Sequence, residues 1–143
     1  MIPELSQELH KEISRLSALG DSLAREQKFD DAIAEYQRAY ELLPEPRDVW
    51  NAAIWLLAAI GDAYFLSRRY ERAREEFTRA ILCCPEGAGN PFLHLRLGES
   101  LFECDKKREA ADELMLAYMS AGDDIFNLED KKYFQYLKTV ASL

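Results

Sequence analysis

Apolar residues recur along most of this chain at steps of three and four, the spacing of one face of an α-helix. Leu5, Leu9, Ile13, Leu16, Leu19 and Leu23 form the first such stripe. The pattern predicts seven helices, over residues of about 4–26, 30–43, 49–67, 71–82, 91–104, 107–120 and 128–143. The third is apolar nearly all round (Val49-Trp50-Asn51-Ala52-Ala53-Ile54-Trp55-Leu56-Leu57-Ala58-Ala59-Ile60) and so expects cover on more than one side. Breaks between the stripes carry turn chemistry. Asp48 is a candidate N-cap for the third helix. Residues 86–91 read as a loop ending in Asn90 as N-cap with Pro91 at the first helical position. Gly122 reads as a C-terminal stop. The last stripe, with Tyr133, Tyr136, Leu137 and Val140, reads as a capping helix.

Superimposed on the helical period is a longer repeat. Leu16, Leu19, Gly20, Leu23, Phe29, Ala32, Tyr36, Ala39 and Pro44 are matched by Leu57, Ile60, Gly61, Tyr64, Tyr70, Ala73, Phe77, Ala80 and Pro85. They are matched again by His94, Leu97, Gly98, Leu101, Lys107, Ala110, Leu114 and Ala117, with Gly122 where the proline would fall. A glycine inside a helix costs about 1 kcal/mol relative to alanine, so three in register imply a packing need. The expected contact is glycine to alanine across each hairpin: Gly20 to Ala32, Gly61 to Ala73 and Gly98 to Ala110. The prolines are expected to stop the second helix of a hairpin.

This pattern resembles the tetratricopeptide repeat, W-x2-L-G-x2-Y, then A-x3-F, then P. The resemblance implies an all-α fold, a right-handed superhelical α-solenoid of three helical hairpins with a capping helix. It would form a single domain over residues 1–143, with repeats at about 13–46, 54–87 and 91–122 and the cap at about 128–143. The glycine anchors stand 41 and 37 residues apart, against a usual period of 34, so insertions fall between hairpins.

In this family the first helix of each hairpin lines a concave groove that binds partner proteins. Carried onto this chain, the groove positions are Ser14, Ser17, Asp21, Ala24 and Arg25, then Trp55, Ala58, Asp62, Phe65 and Leu66, then Phe92, Leu95, Glu99, Phe102 and Glu103. The set is aromatic and acidic. Aromatic side chains are the usual anchors of protein interfaces. Asp21, Arg25, Trp55, Asp62, Phe65, Phe92, Glu99, Phe102 and Glu103 are therefore the expected partner-binding residues. The alternative is that a terminal helix folds across the groove and buries these aromatics.

Charge narrows the partner. With 18 basic and 26 acidic residues the formal net charge is −8, which argues against nucleic acid and against an anionic membrane surface. A basic or amphipathic protein surface fits better. Co-chaperones of the family clamp an acidic tail with lysine, asparagine and arginine. Here Ser17, Asp21, Ala59 and Phe92 stand at clamp positions and only Arg96 matches. No run approaches a membrane span of roughly 18 apolar residues, and residues 1–11 have no secretory-leader pattern. The three cysteines suit a reducing compartment, and the expectation is a cytoplasmic protein.

Catalytic signatures are missing. There is no phosphate-binding glycine loop, zinc-spaced histidine pair or Gly-x-Ser-x-Gly motif, so neither an enzyme nor a cofactor is expected. His94 reads as a packing or groove-wall histidine with Glu99 the one partner in view, and Cys83 and Cys84 read as buried small hydrophobes. Arg68, Arg69, Arg72, Arg74 and Arg79 interleave with Glu71, Glu75 and Glu76, a pattern of salt-bridged, solvated surface. The run Tyr118-Met119-Ser120-Ala121-Gly122-Asp123-Asp124-Ile125-Phe126 and the following Glu129-Asp130-Lys131-Lys132-Tyr133-Phe134 resemble the tail of small bacterial repeat proteins found beside polymorphic toxin genes. That resemblance implies an immunity protein neutralising a cognate toxin. The second role open to a three-repeat groove is a secretion chaperone or scaffold holding an extended segment of its partner.

Overall fold

A computed structural model describes residues 4–83 and 85–143. Residues 1–3 and Cys84, the latter expected to be a buried hydrophobe, lie outside the described residues. The described residues form helices and no strand: α1 (Gln7–Arg25), α2 (Phe29–Glu41), α3 (Asn51–Leu66), α4 (Tyr70–Cys83), the short α5 (Pro85–Ala88), α6 (Pro91–Glu103), α7 (Lys107–Ala121) and α8 (Lys131–Val140). Single 3-10 turns stand at Arg47–Val49 and Asp123–Phe126. Hairpins α1–α2, α3–α4 and α6–α7 stack in chain order, joined through α2 against α3 and α4 against α6, with α8 closing on α7. This is a helical solenoid.

Each hairpin bends on the same three-residue turn. Gln27, Arg68 and Asp105 take left-handed backbone conformations, with φ of 62°, 63° and 61°. The next amide reaches back to the carbonyl five residues earlier: Lys28 to Leu23 at 2.9 Å, Arg69 to Tyr64 at 2.8 Å and Lys106 to Leu101 at 2.9 Å. This is a Schellman cap, and it satisfies carbonyls that the helix end would leave orphaned. A residue other than glycine in this conformation costs about 1 kcal/mol. The same cost recurs at all three bends because a three-residue turn leaves no alternative way to reverse the chain.

The repeat glycines serve the packing, though against a different partner from the one the pattern suggested. A methyl group on Gly20 would lie 2.5 Å from the Tyr36 ring, one on Gly61 3.0 Å from the Phe77 ring, and one on Gly98 2.8 Å from the Leu114 side chain. The residue pressed closest on each glycine is thus the large one a turn beyond the expected alanine. Ala32, Ala73 and Ala110 are themselves fully buried. The alanines let the helices meet, and the glycines make room for the ring or isobutyl group that fills the crossing.

One core runs from Ile13 and Leu16 through α3 to Leu93, Leu97 and Leu101. As its composition implies, α3 is buried on more than one side, packed between α2 and α4. A second cluster joins Leu95, Leu114 and Ala117 to Phe126, Tyr133 and Leu137, so α8 does cap the stack. Phe65, Phe92 and Phe102 touch both clusters.

Several local expectations change. Asp48 does not cap α3. It sits in the 3-10 turn, where its carboxylate accepts from the Tyr40 hydroxyl at 2.6 Å, and Trp50 takes the N-cap position with no side-chain bond. The Trp50 indole N–H instead donates to Pro44 O at 2.9 Å, fastening the connection to the first hairpin. Pro85 opens α5 rather than simply ending a helix, so residues 86–91 are not a plain loop. Gly87 is buried there, and a methyl group on it would overlap the Ala80 carbonyl oxygen. Asn90 caps α6 as expected, accepting from Phe92 N at 2.9 Å, and Gly122 ends α7 with φ 75°. The last helix is shorter than its stripe, because Asp130 caps it and leaves residues 127–130 as an irregular crossing.

These contacts predict two contrasting glycine substitutions. Gly87→Ala drives a side chain into backbone that cannot swing aside and should lower stability by more than about 2 kcal/mol. Gly89→Ala, whose methyl group meets nothing nearer than Pro85 O at 3.6 Å, should change it by less than about 0.5 kcal/mol. Gly20→Ala, opposed by the buried Tyr36 ring, should fall between them. Chemical denaturation of the three variants checks the order.

Candidate functional site

The first helices of the hairpins, α1, α3 and α6, present the positions that the repeat pattern assigns to the groove. The structure divides those positions into two halves. Between α1 and α3 lies an open cleft of about 440 Å³, walled by Ile13, Ser14, Ser17, Asp21, Tyr36 and Trp55 among others. Most of that lining is apolar. Trp55 is 59% exposed, an unusual exposure for a tryptophan and one that no packing need explains. Asp21 is exposed at the floor and accepts a hydrogen bond of 2.6 Å from the Tyr36 hydroxyl. Burial, reinforced by that acceptor, holds the Tyr36 phenol well above its ordinary range. Arg25 is exposed at the end of α1, bonded to Ser22 Oγ at 3.2 Å, outside the cleft.

The other half is covered from within. Phe102 packs edge-on against Tyr133 and Tyr136 of α8, with ring centroids at 5.5 and 5.3 Å. Glu103 accepts from Lys132 Nζ at 2.9 Å and from the Tyr133 hydroxyl at 3.2 Å. Glu99 has no exposed surface and Leu95 almost none. The sequence had offered all four as free groove positions. They are instead occupied by the C-terminal segment, because that segment is long enough to fold back and its tyrosines complete the second apolar cluster.

At the boundary stands Arg96, which gathers what the sequence showed only as scattered charge. Its guanidinium lies 3.3 Å from Asp62 Oδ1, 3.4 Å from Glu99 Oε1 and 3.5 Å from Glu129 Oε1. It also lies between the rings of Phe65, at 4.8 Å from the centroid, and Phe92, at 5.4 Å. One largely buried cation faces three carboxylates, of which Asp62 keeps partial contact with solvent, an arrangement that disfavours ionising all three. Burial first, then the adjacent Glu129, pushes the Glu99 carboxyl up to about 9. Burial likewise raises Asp62 to about 6, against the pull of Arg96. No N–H or O–H of another residue reaches Glu99 Oε2. The neighbouring Glu129 carboxyl favours the protonated form of Glu99.

The remaining candidates are structural. His94 bridges Glu113 (Nδ1 to Oε2, 2.5 Å) and the Ala88 carbonyl (Nε2 to O, 2.6 Å), tying α5 and α7 to α6. Its partner is Glu113 and not Glu99, since Glu99 turns inward toward Arg96. The arginines of α4 and its approach pair at the surface, Arg69 with Asp30 at 2.6 Å, Arg74 with Glu71, and Arg72 with Glu75 at 3.3 Å, but Glu76, expected in that solvated face, is buried, where it meets Arg79 at 3.2 Å. Cys83 Sγ donates to Asp48 O at 3.1 Å. Among the described residues no group of three histidines, cysteines or carboxylates is placed to hold a metal ion. No helix among them is long and apolar enough to cross a membrane.

Sequence reasoning missed Glu129, Lys132 and Tyr133 as groove residues. They lie beyond the last repeat, where the pattern carries no register. It also missed the share of Tyr36 in the cleft, since a tyrosine at a core position shows no sign that its hydroxyl reaches the inner face.

A stack of helical hairpins with an apolar, partly open inner face is a protein-binding scaffold. The particular family follows from the repeat itself: residues 12–81 match the tetratricopeptide repeat model, so this stretch is built of tetratricopeptide repeats. Solved structures agree over nearly the whole length. The tetratricopeptide repeat domain of Arabidopsis OM64 superposes with a TM-score of 0.72 at 16% identity, covering 93% of this chain and 99% of that one. The Yersinia enterocolitica type III secretion chaperone SycD, solved with a peptide of the translocator YopD, gives 0.72 at 16%, covering 96% of each. The second such domain of human RPAP3, in complex with an HSP70 peptide, gives 0.70 at 20%, covering 92% of this chain and 97% of that one. At these identities the likeness is one of fold. No curated protein sequence matches the chain.

The buried carboxyls predict a definite pH dependence. Below pH 4.5 Glu99 is protonated whether the chain is folded or not. Between about 4.5 and about 9 the unfolded chain ionises it while the folded chain does not, so the unfolded state holds fewer protons and stability falls as pH rises. Asp62 adds the same sign between 3.8 and about 6. Glu99→Gln removes the larger contribution. Its melting temperature should rise relative to the parent progressively from pH 5 to pH 9, by up to about 1.4 kcal/mol of stability per pH unit. Parallel slopes for the two proteins across that range would contradict a neutral Glu99.

Proposed function

We propose that this chain is a non-catalytic module that captures and sequesters an extended, apolar segment of a partner protein in the cleft between α1 and α3. The observation that carries this reading is the half-open groove. An apolar trench of about 440 Å³ with one largely exposed tryptophan on its wall offers a concave apolar surface and an anchor of the type that dominates binding energy. Asp21 is the acidic residue in the lining of the trench. A segment with basic residues among apolar ones complements it. Among the described residues no lysine or arginine lines the trench to hold an acidic tail.

Two neighbours of the same fold, SycD and RPAP3, were solved with peptides of their partners, which supports a peptide as the ligand form here. The chaperone or scaffold role follows most directly from that form. The immunity role, implied by the C-terminal resemblance, needs a folded toxin domain as partner. It would use a surface broader than this trench.

The experiment is co-purification of the tagged chain from its native cell, alongside Trp55→Ala. A recovered partner is then cut into overlapping peptides and titrated. A chaperone binds one such peptide, and that peptide competes with the whole partner. An immunity protein binds the folded domain alone and abolishes its activity. Trp55→Ala should weaken peptide binding by about 2 kcal/mol, roughly thirtyfold, with unchanged thermal stability. Unaltered affinity in a folded Trp55→Ala protein rules out the cleft as the binding site.

A further inference from the structure

Residues 127–133 cross the inner face, and the two parts of that crossing are held by different forces. The α8 part is anchored by apolar burial. Tyr133 and Leu137 are buried with Phe126 against Leu95, Leu114 and Ala117, and the Phe126 and Phe134 rings stack at 4.5 Å. The part before Tyr133, residues 127–130 with the first turn of α8, has no apolar anchor: it is held by the backbone bonds Asn127 N to Asp124 O at 3.1 Å and Glu129 N to Phe126 O at 3.0 Å, by the Asp130 cap and by charge. The Glu129 side chain is 9% exposed beside Arg96, yet Asp62 and Glu99 crowd the same guanidinium. Leu128, at the outer bend, is 96% exposed and contributes no burial. A buried carboxylate set among others gains little net free energy from being there. This segment is therefore the weakly held part of the closure.

The surface beneath it has its own chemistry. Glu103 at the end of α6 receives Lys132 Nζ at 3.1 and 2.9 Å, and the same ammonium lies 5.9 Å from the Phe102 ring and 5.3 Å from the Tyr133 ring. A carboxylate beside aromatic faces is a receptor for a lysine, and the chain fills it with its own. Every titratable group facing this crossing from α3 and α6 is an acid except Arg96, namely Asp62, Glu99 and Glu103. Tyr70, Lys107 and, from the turn after α3, the cation Arg68 stand at its edges.

We propose that residues 128–132 are an internal occupant of the groove, a strap that a segment of a partner protein bearing alternating leucine and basic residues displaces, so that the binding surface extends from Trp55 to Phe102. The proposal rests on the groove reading and names its partner chemistry. When the strap lifts, Glu129 leaves the crowded guanidinium, which relieves the excess negative charge there. A partner lysine takes the place of Lys132 on Glu103 and Phe102.

The test uses the full chain and two labelled ten-residue peptides, one alternating leucine with lysine and one alternating leucine with glutamate. Lys132→Ala removes an exposed side chain and should leave the fold intact. It is expected to speed amide exchange at residues 128–133 and to tighten the leucine–lysine peptide about tenfold, as freeing a competing occupant requires. Lys132→Arg keeps the ion pair and should keep parental values for both. The leucine–glutamate peptide should gain nothing. If exchange does not accelerate in Lys132→Ala, Lys132→Glu sets a like charge against Glu103 and forces the same comparison. Faster exchange with unchanged affinity for the leucine–lysine peptide overturns the strap, as does equal tightening of both peptides. Trp55→Ala separates the two ideas. If it weakens binding while loosening the strap changes nothing, the cleft stands and the strap falls. If it has no effect while Lys132→Ala still tightens binding, the strap stands and the cleft falls. No binding by any variant overturns both.

Discussion

Three helix crossings hold this molecule in its curved form, and each depends on a side chain that is not there. Gly20, Gly61 and Gly98 leave bare backbone on the first helix of a hairpin. Sixteen residues on, Tyr36, Phe77 and Leu114 press into that space. The buried alanines one turn earlier set the close approach, and the large residue fills the space the glycine vacates. Interiors packed at crystal density tolerate neither a void nor an extra methyl group at such a point. The arrangement therefore fixes the angle at which every hairpin closes. Through the stacked hairpins it fixes where α1, α3 and α6 stand on the inner face.

That inner face is not uniform. Toward α1 it is open and apolar, with Trp55 standing in solvent. Toward α6 it is closed by the chain's own C-terminal segment, through aromatic packing on one side and a crowded charge cluster on the other. A single guanidinium among three carboxylates contributes little stability when desolvation is counted. It does define a specific geometry, and it keeps a protonated glutamate in the core at neutral pH. The closure is thus firm where Tyr133 and Leu137 are buried and weak where Glu129 and Leu128 lie. A binding surface that ends at a weakly held boundary can lengthen without disturbing the solenoid that supports it.

On the proposed reading, the exposed carboxylate of Asp21 in the open, largely apolar cleft suits a basic or amphipathic segment. The third hairpin departs from the repeat pattern at His94 and Lys107, and these departures have structural uses. His94 fastens α5 and α7 to α6, and Lys107 lies 5.2 Å over the Phe102 ring.

The sequence by itself determined the helices, their pairing and the positions of the crossings. Those features depend on local periodicity, and the recurring glycine, alanine and large apolar residues report it directly. The lengths of α1 and α3, the Asn90 cap and the Gly122 stop obey the same short-range rules. Three things lay beyond it. The chain alone could not show that Gly87 slides under the carbonyl of Ala80, because a glycine in a loop looks the same as a glycine in contact. It could not show that Glu99 and Glu103 are internal, because groove positions are defined relative to the repeat and carry no record of the residues past the third hairpin. Nor could it assemble Asp62, Arg96, Glu99 and Glu129, which lie up to 67 residues apart and meet only when the C-terminal segment folds back. Local order is set by neighbours in sequence. Which half of the groove stays open is set by where the chain's end finds apolar surface to bury, a choice made only in three dimensions.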